Sequence, residues 1–122
     1  MAKTVLIVDD SMYMRSLIND ALTSAGYEVV GQAANGEMAI DLAMEKKPDL
    51  ITLDNILPDM IGIDILKVLK QDEKLESKVI MISAVGQESV INEGMSLGAS
   101  DYIVKPFTSE DLVSKTNKVM GV

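Results

Sequence analysis

The pattern of this chain predicts a (βα)5 fold, a doubly wound α/β domain with a five-stranded parallel sheet, and three observations carry that prediction. Short apolar runs alternate five times with helical patterns, and a right-handed crossover places each such helix against the sheet. Four of the runs end in a polar residue: Asp9-Asp10, Asp54, Ser83 and Lys105-Pro106. The 122 residues, 48% of them hydrophobic, suit one compact module over 1–122 with a single core and no output domain.

The first strand is Thr4 to Val8, short and rich in β-branched residues. Met14, Leu17, Ile18, Ala21, Leu22 and Ala25 then recur at helical spacing, predicting a helix from about Met12 to Ala25 with Gly26 as its stop. Strand two lies near Glu28 to Ala33. A second helix follows Asn35-Gly36, carries Met38, Ile40, Leu42 and Ala43, and ends at Lys46-Lys47-Pro48, where proline breaks it. Leu50 to Leu53 is the third strand, with Asp54 at its end. The turn Pro58-Asp59-Met60-Ile61-Gly62 leads to helix three, roughly Ile63 to Lys70, whose buried stripe is Ile65, Leu66 and Leu69. Strand four, Val79 to Ile82, delivers Ser83. Helix four spans about Gln87 to Leu97 with Gly98 just past its end, and Gly94 inside it costs about 1 kcal/mol relative to alanine, predicting a looser helix. Tyr102 to Val104 is strand five, and Thr108-Ser109-Glu110-Asp111 reads as the cap of helix five.

Composition excludes several functions. Cysteine and histidine are both absent, which removes disulfides, thiolate chemistry, imidazole acid–base catalysis and zinc sites built on those residues. Nineteen acidic against eleven basic residues give a net charge of -8, with no basic window interleaved with aromatics, so nucleic-acid binding is not expected. No apolar run approaches the ~20 residues of a membrane span, so no membrane insertion is expected and a cytoplasmic location is.

In an open parallel sheet the functional crevice lies outside the carboxyl ends of the strands. Asp9, Asp10, Asp54, Ser83 and Lys105 would meet there. Carboxylates ~4 Å apart repel by about 4 kcal/mol per pair at an effective dielectric near 20, so the cluster needs protons or a hard cation. An all-oxygen donor set points to Mg²⁺, whose charge together with that of Lys105 cancels the three aspartates. Beside such an ion an aspartate becomes a competent nucleophile for phosphoryl transfer. Asp54, alone at a strand end, takes that role; the adjacent Asp9 and Asp10 are better placed to hold the metal. Each feature alone has a plainer explanation: Asp9-Asp10 as a helix N-cap, Asp54 as a turn residue, Lys105-Pro106 as an exposed lysine ahead of a change in chain direction. Their coincidence at one sheet end reverses the balance.

Val5-Leu6-Ile7-Val8-Asp9-Asp10, Leu53-Asp54 with Leu57-Pro58 and Gly62, Ile82-Ser83-Ala84, and Tyr102-Ile103-Val104-Lys105-Pro106-Phe107 occur in that order. As a set, over essentially the whole chain, this resembles the receiver domain of two-component response regulators, in particular its stand-alone, CheY-like chemotaxis members. The resemblance implies a flavodoxin-like strand order of 2-1-3-4-5 and phosphorylation of Asp54 by a CheA-like histidine kinase. It implies Mg²⁺ on Asp10, Asp54 and the backbone carbonyl of Ile56, with Asp9 helping through water. Lys105 and Ser83 would bind the phosphoryl group, Ser83 and Tyr102 would be the switch positions, and Ile56 and Val85 would tune hydrolysis. The implied output is a helix four, strand five, helix five face that engages a motor-switch protein of the FliM type or an adaptor, with a phosphatase as a further partner. A monomer that catalyses only its own phosphorylation and dephosphorylation is the expectation. Asn55 and Ile61 depart from the usual pattern, the first being commonly apolar in the family and the second commonly polar.

Other functions are weaker fits. A phosphorelay intermediate would keep the chemistry and pass the group from Asp54 to another protein's histidine. A phosphohydrolase of the haloacid dehalogenase type needs a second acid where this chain has Ile56. A flavin carrier would meet Asp9-Asp10 with its own phosphate and finds no glycine-rich loop after strand one.

Overall fold

The computed structural model describes residues 2–122. Five strands, β1 (Thr4–Val8), β2 (Glu28–Ala33), β3 (Leu50–Asp54), β4 (Lys78–Ser83) and β5 (Asp101–Val104), alternate with α1 (Met12–Ser24), α2 (Gly36–Lys46), α3 (Gly62–Lys67), α4 (Glu88–Ser96) and α5 (Ser109–Met120). All neighbouring strands are parallel and lie in the order β2-β1-β3-β4-β5, as the resemblance implied.

Successive side chains on a strand point to opposite faces, and this divides the core in two. Leu6, Val8, Ile51, Leu53, Val79 and Met81 pack with Ala39, Ala43, Ile63, Ile65, Leu66 and Leu69 of the α2–α3 layer. On the other face Val5, Ile7, Leu50, Ile80, Ile82 and Ile103 pack with Ile18, Leu22 and Leu112 of α1 and α5. Phe107 belongs to this second layer, in keeping with packing rather than contact.

The helix ends are built as the capping residues dictate. Ser11 Oγ accepts from the Met14 N–H at 3.2 Å, and Asn35 Oδ1 from the Met38 N–H at 2.9 Å. Thr108 and Asp111 form a reciprocal capping box on α5. Gly98, at φ +112, ends α4, where the Ala99 N–H reaches back to the Gly94 carbonyl at 3.0 Å and the Gly98 N–H to that of Met95 at 3.3 Å. Two αβ turns use lysine where glycine is easier: Lys47 has φ 44 and Lys74 φ 53.

Helix three differs from its predicted span. Regular α-helix stops at Lys67 and the chain widens into a π turn over Val68–Asp72, closed by the Glu73 N–H donating to the Val68 carbonyl at 2.9 Å. The Lys70 ammonium, its pKa lowered mainly by burial, ties the following loop by donating to the carbonyls of Leu75 at 3.0 Å and Ser77 at 2.5 Å.

Candidate functional site

The carboxyl ends of β1, β3, β4 and β5 deliver Asp9-Asp10, Asp54, Ser83 and Lys105 to one place. Carboxylate oxygens of Asp9, Asp10 and Asp54 lie within 4.8 Å of one another. Asp9 and Asp54 are buried, whereas Asp10 stands exposed at the rim. The Lys105 ammonium is 3.4 Å from Asp9 Oδ2 and 3.5 Å from Asp54 Oδ1, bridging the two buried carboxylates. Burial, then the neighbouring Asp9 charge, push the Asp54 carboxyl up from 3.8 to about 6; Lys105 opposes them and Asp10 adds a little more. Three crowded carboxylates with one ammonium form a hard-oxygen set that fits a divalent cation of the Mg²⁺ type.

The helix-cap alternative for Asp9-Asp10 is resolved by the geometry. Ser11 is the N-cap of α1, while Asp9 Oδ1 accepts from the Ser11 N–H at 2.9 Å and orients the turn. Arg15 Nη1 donates to the Asp9 carbonyl at 2.7 Å, locking the same turn from one helical turn away. Neither contact was anticipated from the sequence, although Ser11 ahead of an apolar-periodic run is an N-cap signal.

Ser83 is buried, and its hydroxyl has no hydrogen-bond partner among the described residues. A buried hydroxyl left unpaired costs about 1–3 kcal/mol. Ile56 and Val85 are 58% and 76% exposed, so two apolar side chains stand at the positions assigned to hydrolysis tuning. Tyr102 on β5 is 38% exposed, with the Lys115 ammonium 5.4 Å from its ring centroid. It therefore sits on the outer face and outside the acidic pocket.

The β3–α3 loop is pinned where it matters. A Cβ at Gly62 would lie 2.9 Å from both the Asp54 carbonyl oxygen and Asn55 Cα, so only glycine lets the loop fold back over the acidic strand end. Asp59 accepts from the Gly36 N–H at 2.7 Å and the Glu37 N–H at 3.1 Å, bonds that hold its carboxyl below the usual range and tie this loop to α2. Asn55 is buried next to Asp54, and its Oδ1 has no partner among the described residues. Ile61 is exposed at the N-cap of α3, where it supplies no capping bond, so this departure leaves the helix start bare.

Residues 5–117 match the response regulator receiver domain family. The chain belongs to this family. It is 46% identical over 120 residues to the chemotaxis protein CheY of Thermotoga maritima, covering 98% of each chain. It is also 42% identical over 121 residues to CheY of Bacillus subtilis, covering 99% of this chain and all of that one. Among solved structures, CheY in the CheX-CheY-BeF3-Mg complex of Borrelia burgdorferi superposes with a TM-score of 0.90 at 34% identity, covering 96% of this chain and 88% of that one. Such CheY-like receiver domains are signalling proteins rather than classical enzymes. Among the described residues, no helix is long and apolar enough to cross a membrane.

Proposed function

We propose that this receiver domain is a phospho-accepting switch of a chemotaxis system, in which Asp54 takes a phosphoryl group from the phosphohistidine of a CheA-like histidine kinase. The observation that carries the reading is the Asp54 carboxylate, buried at the end of β3 between the Lys105 ammonium and two further carboxylates. An Asp54 oxygen attacks phosphorus and the P–N bond breaks. Its electron pair stays on the imidazole nitrogen, and an acyl phosphate remains on Asp54. Lys105 binds one phosphoryl oxygen and the free Ser83 hydroxyl donates to another. Asp9, Asp10, Asp54 and the Ile56 carbonyl would hold Mg²⁺, which when bound neutralises charge on the transferring group.

The output surface is the face of α4, β5 and α5, where Tyr102 already lies outward. Its partner in this reading is a motor-switch protein of the FliM type or an adaptor, supported by the chemotaxis relatives. A phosphatase is a further partner, and the Borrelia relative's complex with CheX, BeF3 and Mg supports engagement of the activated form. One receiver domain, working as a monomer in the cytoplasm, suffices for this role.

Incubation with Mg²⁺ and acetyl phosphate followed by intact mass tests it. The parent gains one phosphoryl group, and Asp54→Asn gains none. A parent that stays unmodified, or an Asp54→Asn form modified equally, overturns the proposal. Co-purification of the phosphorylated form with a candidate motor-switch protein tests the output.

A further inference from the structure

β3 and β4 run in register up to Asp54 and Ile82, and the Asn55 N–H still donates to the Ile82 carbonyl at 3.1 Å. One step further, a parallel ladder would pair the Ala84 N–H with the Asn55 carbonyl. That carbonyl instead accepts the Gly62 N–H at 2.5 Å, so the strands part and Ala84 loses its ladder partner. The direction of its N–H is still determined. The Ser83 carbonyl accepts from the Lys105 N–H at 2.8 Å on the β5 side, and across a trans peptide the next N–H points the opposite way, toward β3 and Asp54. In the structure this donor goes to Gln87 Oε1 at 2.9 Å. Ala84 is exposed and Gln87 half-buried, so the contact lies at the open mouth of the site.

We infer that the Gln87 side-chain oxygen is a displaceable stand-in for a phosphoryl oxygen, which makes Gln87 a positioning residue that biases the domain toward its unmodified form. The inference rests on Asp54 being the phospho-acceptor. An anionic phosphoryl oxygen is a stronger acceptor than a neutral amide oxygen and takes the Ala84 N–H from it. Gln87 is then released. It immediately precedes α4, and its own carbonyl accepts the Ile91 N–H at 3.0 Å, so its release is felt in the first turn of that helix. The modification and the output face are thereby coupled through one side chain.

Titration with beryllium fluoride and Mg²⁺ separates this from a merely structural role. Gln87→Ala and Gln87→Met lack the competing oxygen, and both bind about two- to tenfold more tightly than the parent, the range expected for removing one neutral hydrogen bond. Gln87→Glu keeps an acceptor and adds a negative charge facing the anion, so it binds more weakly. In the unliganded protein the Ala84 amide exchanges faster in Gln87→Ala than in the parent; with beryllium fluoride bound the two exchange alike. Unchanged or weakened affinity in both Gln87→Ala and Gln87→Met overturns the inference while leaving the phospho-acceptor reading intact. Failure of the parent itself to bind beryllium fluoride overturns both.

Discussion

Without a divalent ion the Asp54 carboxyl titrates at about 6, lifted from 3.8 chiefly by burial and next by Asp9. A group whose folded pKa lies above its unfolded one favours the fold fully below the unfolded value, and that contribution is lost as pH rises through the folded value. Thermal stability in chelator therefore falls between pH 4 and about 6 in the parent and stays flatter in Asp54→Asn. Mg²⁺ competes with the proton for the same oxygens, so its stabilisation of the parent is larger above pH 6 than at pH 5; melting curves at several pH values check both outcomes. Ile56 poses a different question at the same pocket. Neither it nor Val85 can orient an attacking water, so the phosphorylated form is expected to decay slowly. Ile56→Asn shortens its lifetime, as read by loss of phosphoryl mass over time; an unchanged lifetime counts against the idea.

Helix α4 shows how an element can be read correctly in place and incorrectly in cause. Gly94, expected to loosen the helix, is a buried contact residue whose added Cβ would collide with Met81 Sδ on β4. The missing side chain is what lets α4 lie close to the sheet. Alanine there gains about 1 kcal/mol of helix propensity but overpacks the core by about 1–3 kcal/mol. Gly94→Ala thus lowers stability by about 1 kcal/mol instead of stiffening the helix, a shift that denaturant midpoints measure. Apolar periodicity located the strands and helices because each buries one face. The π turn after Lys67 was invisible to it, since widening by one residue leaves Leu69 buried as before. Asp9, Asp10, Asp54, Ser83 and Lys105 were legible because each ends an apolar run. Arg15, Asp59 and Gln87 were not, because each works through a hydrogen bond to a backbone carbonyl or N–H, which no residue spacing encodes.

At the scale of the molecule, the topology sends every βα turn to one pole and every αβ turn to the other. All the chemistry proposed above sits at the first. The two lysines with left-handed backbone, Lys47 and Lys74, sit at the second. A side chain in that conformation costs about 1–2 kcal/mol, of which glycine's greater unfolded freedom returns about 0.5–1. Lys47→Gly and Lys74→Gly should each raise stability by about 0.5–1 kcal/mol in chemical denaturation, with acetyl phosphate labelling of Asp54 unchanged. Stability gained at the second pole is thus separable from the chemistry at the first, so an engineer, or selection, can toughen this protein there without retuning its signal.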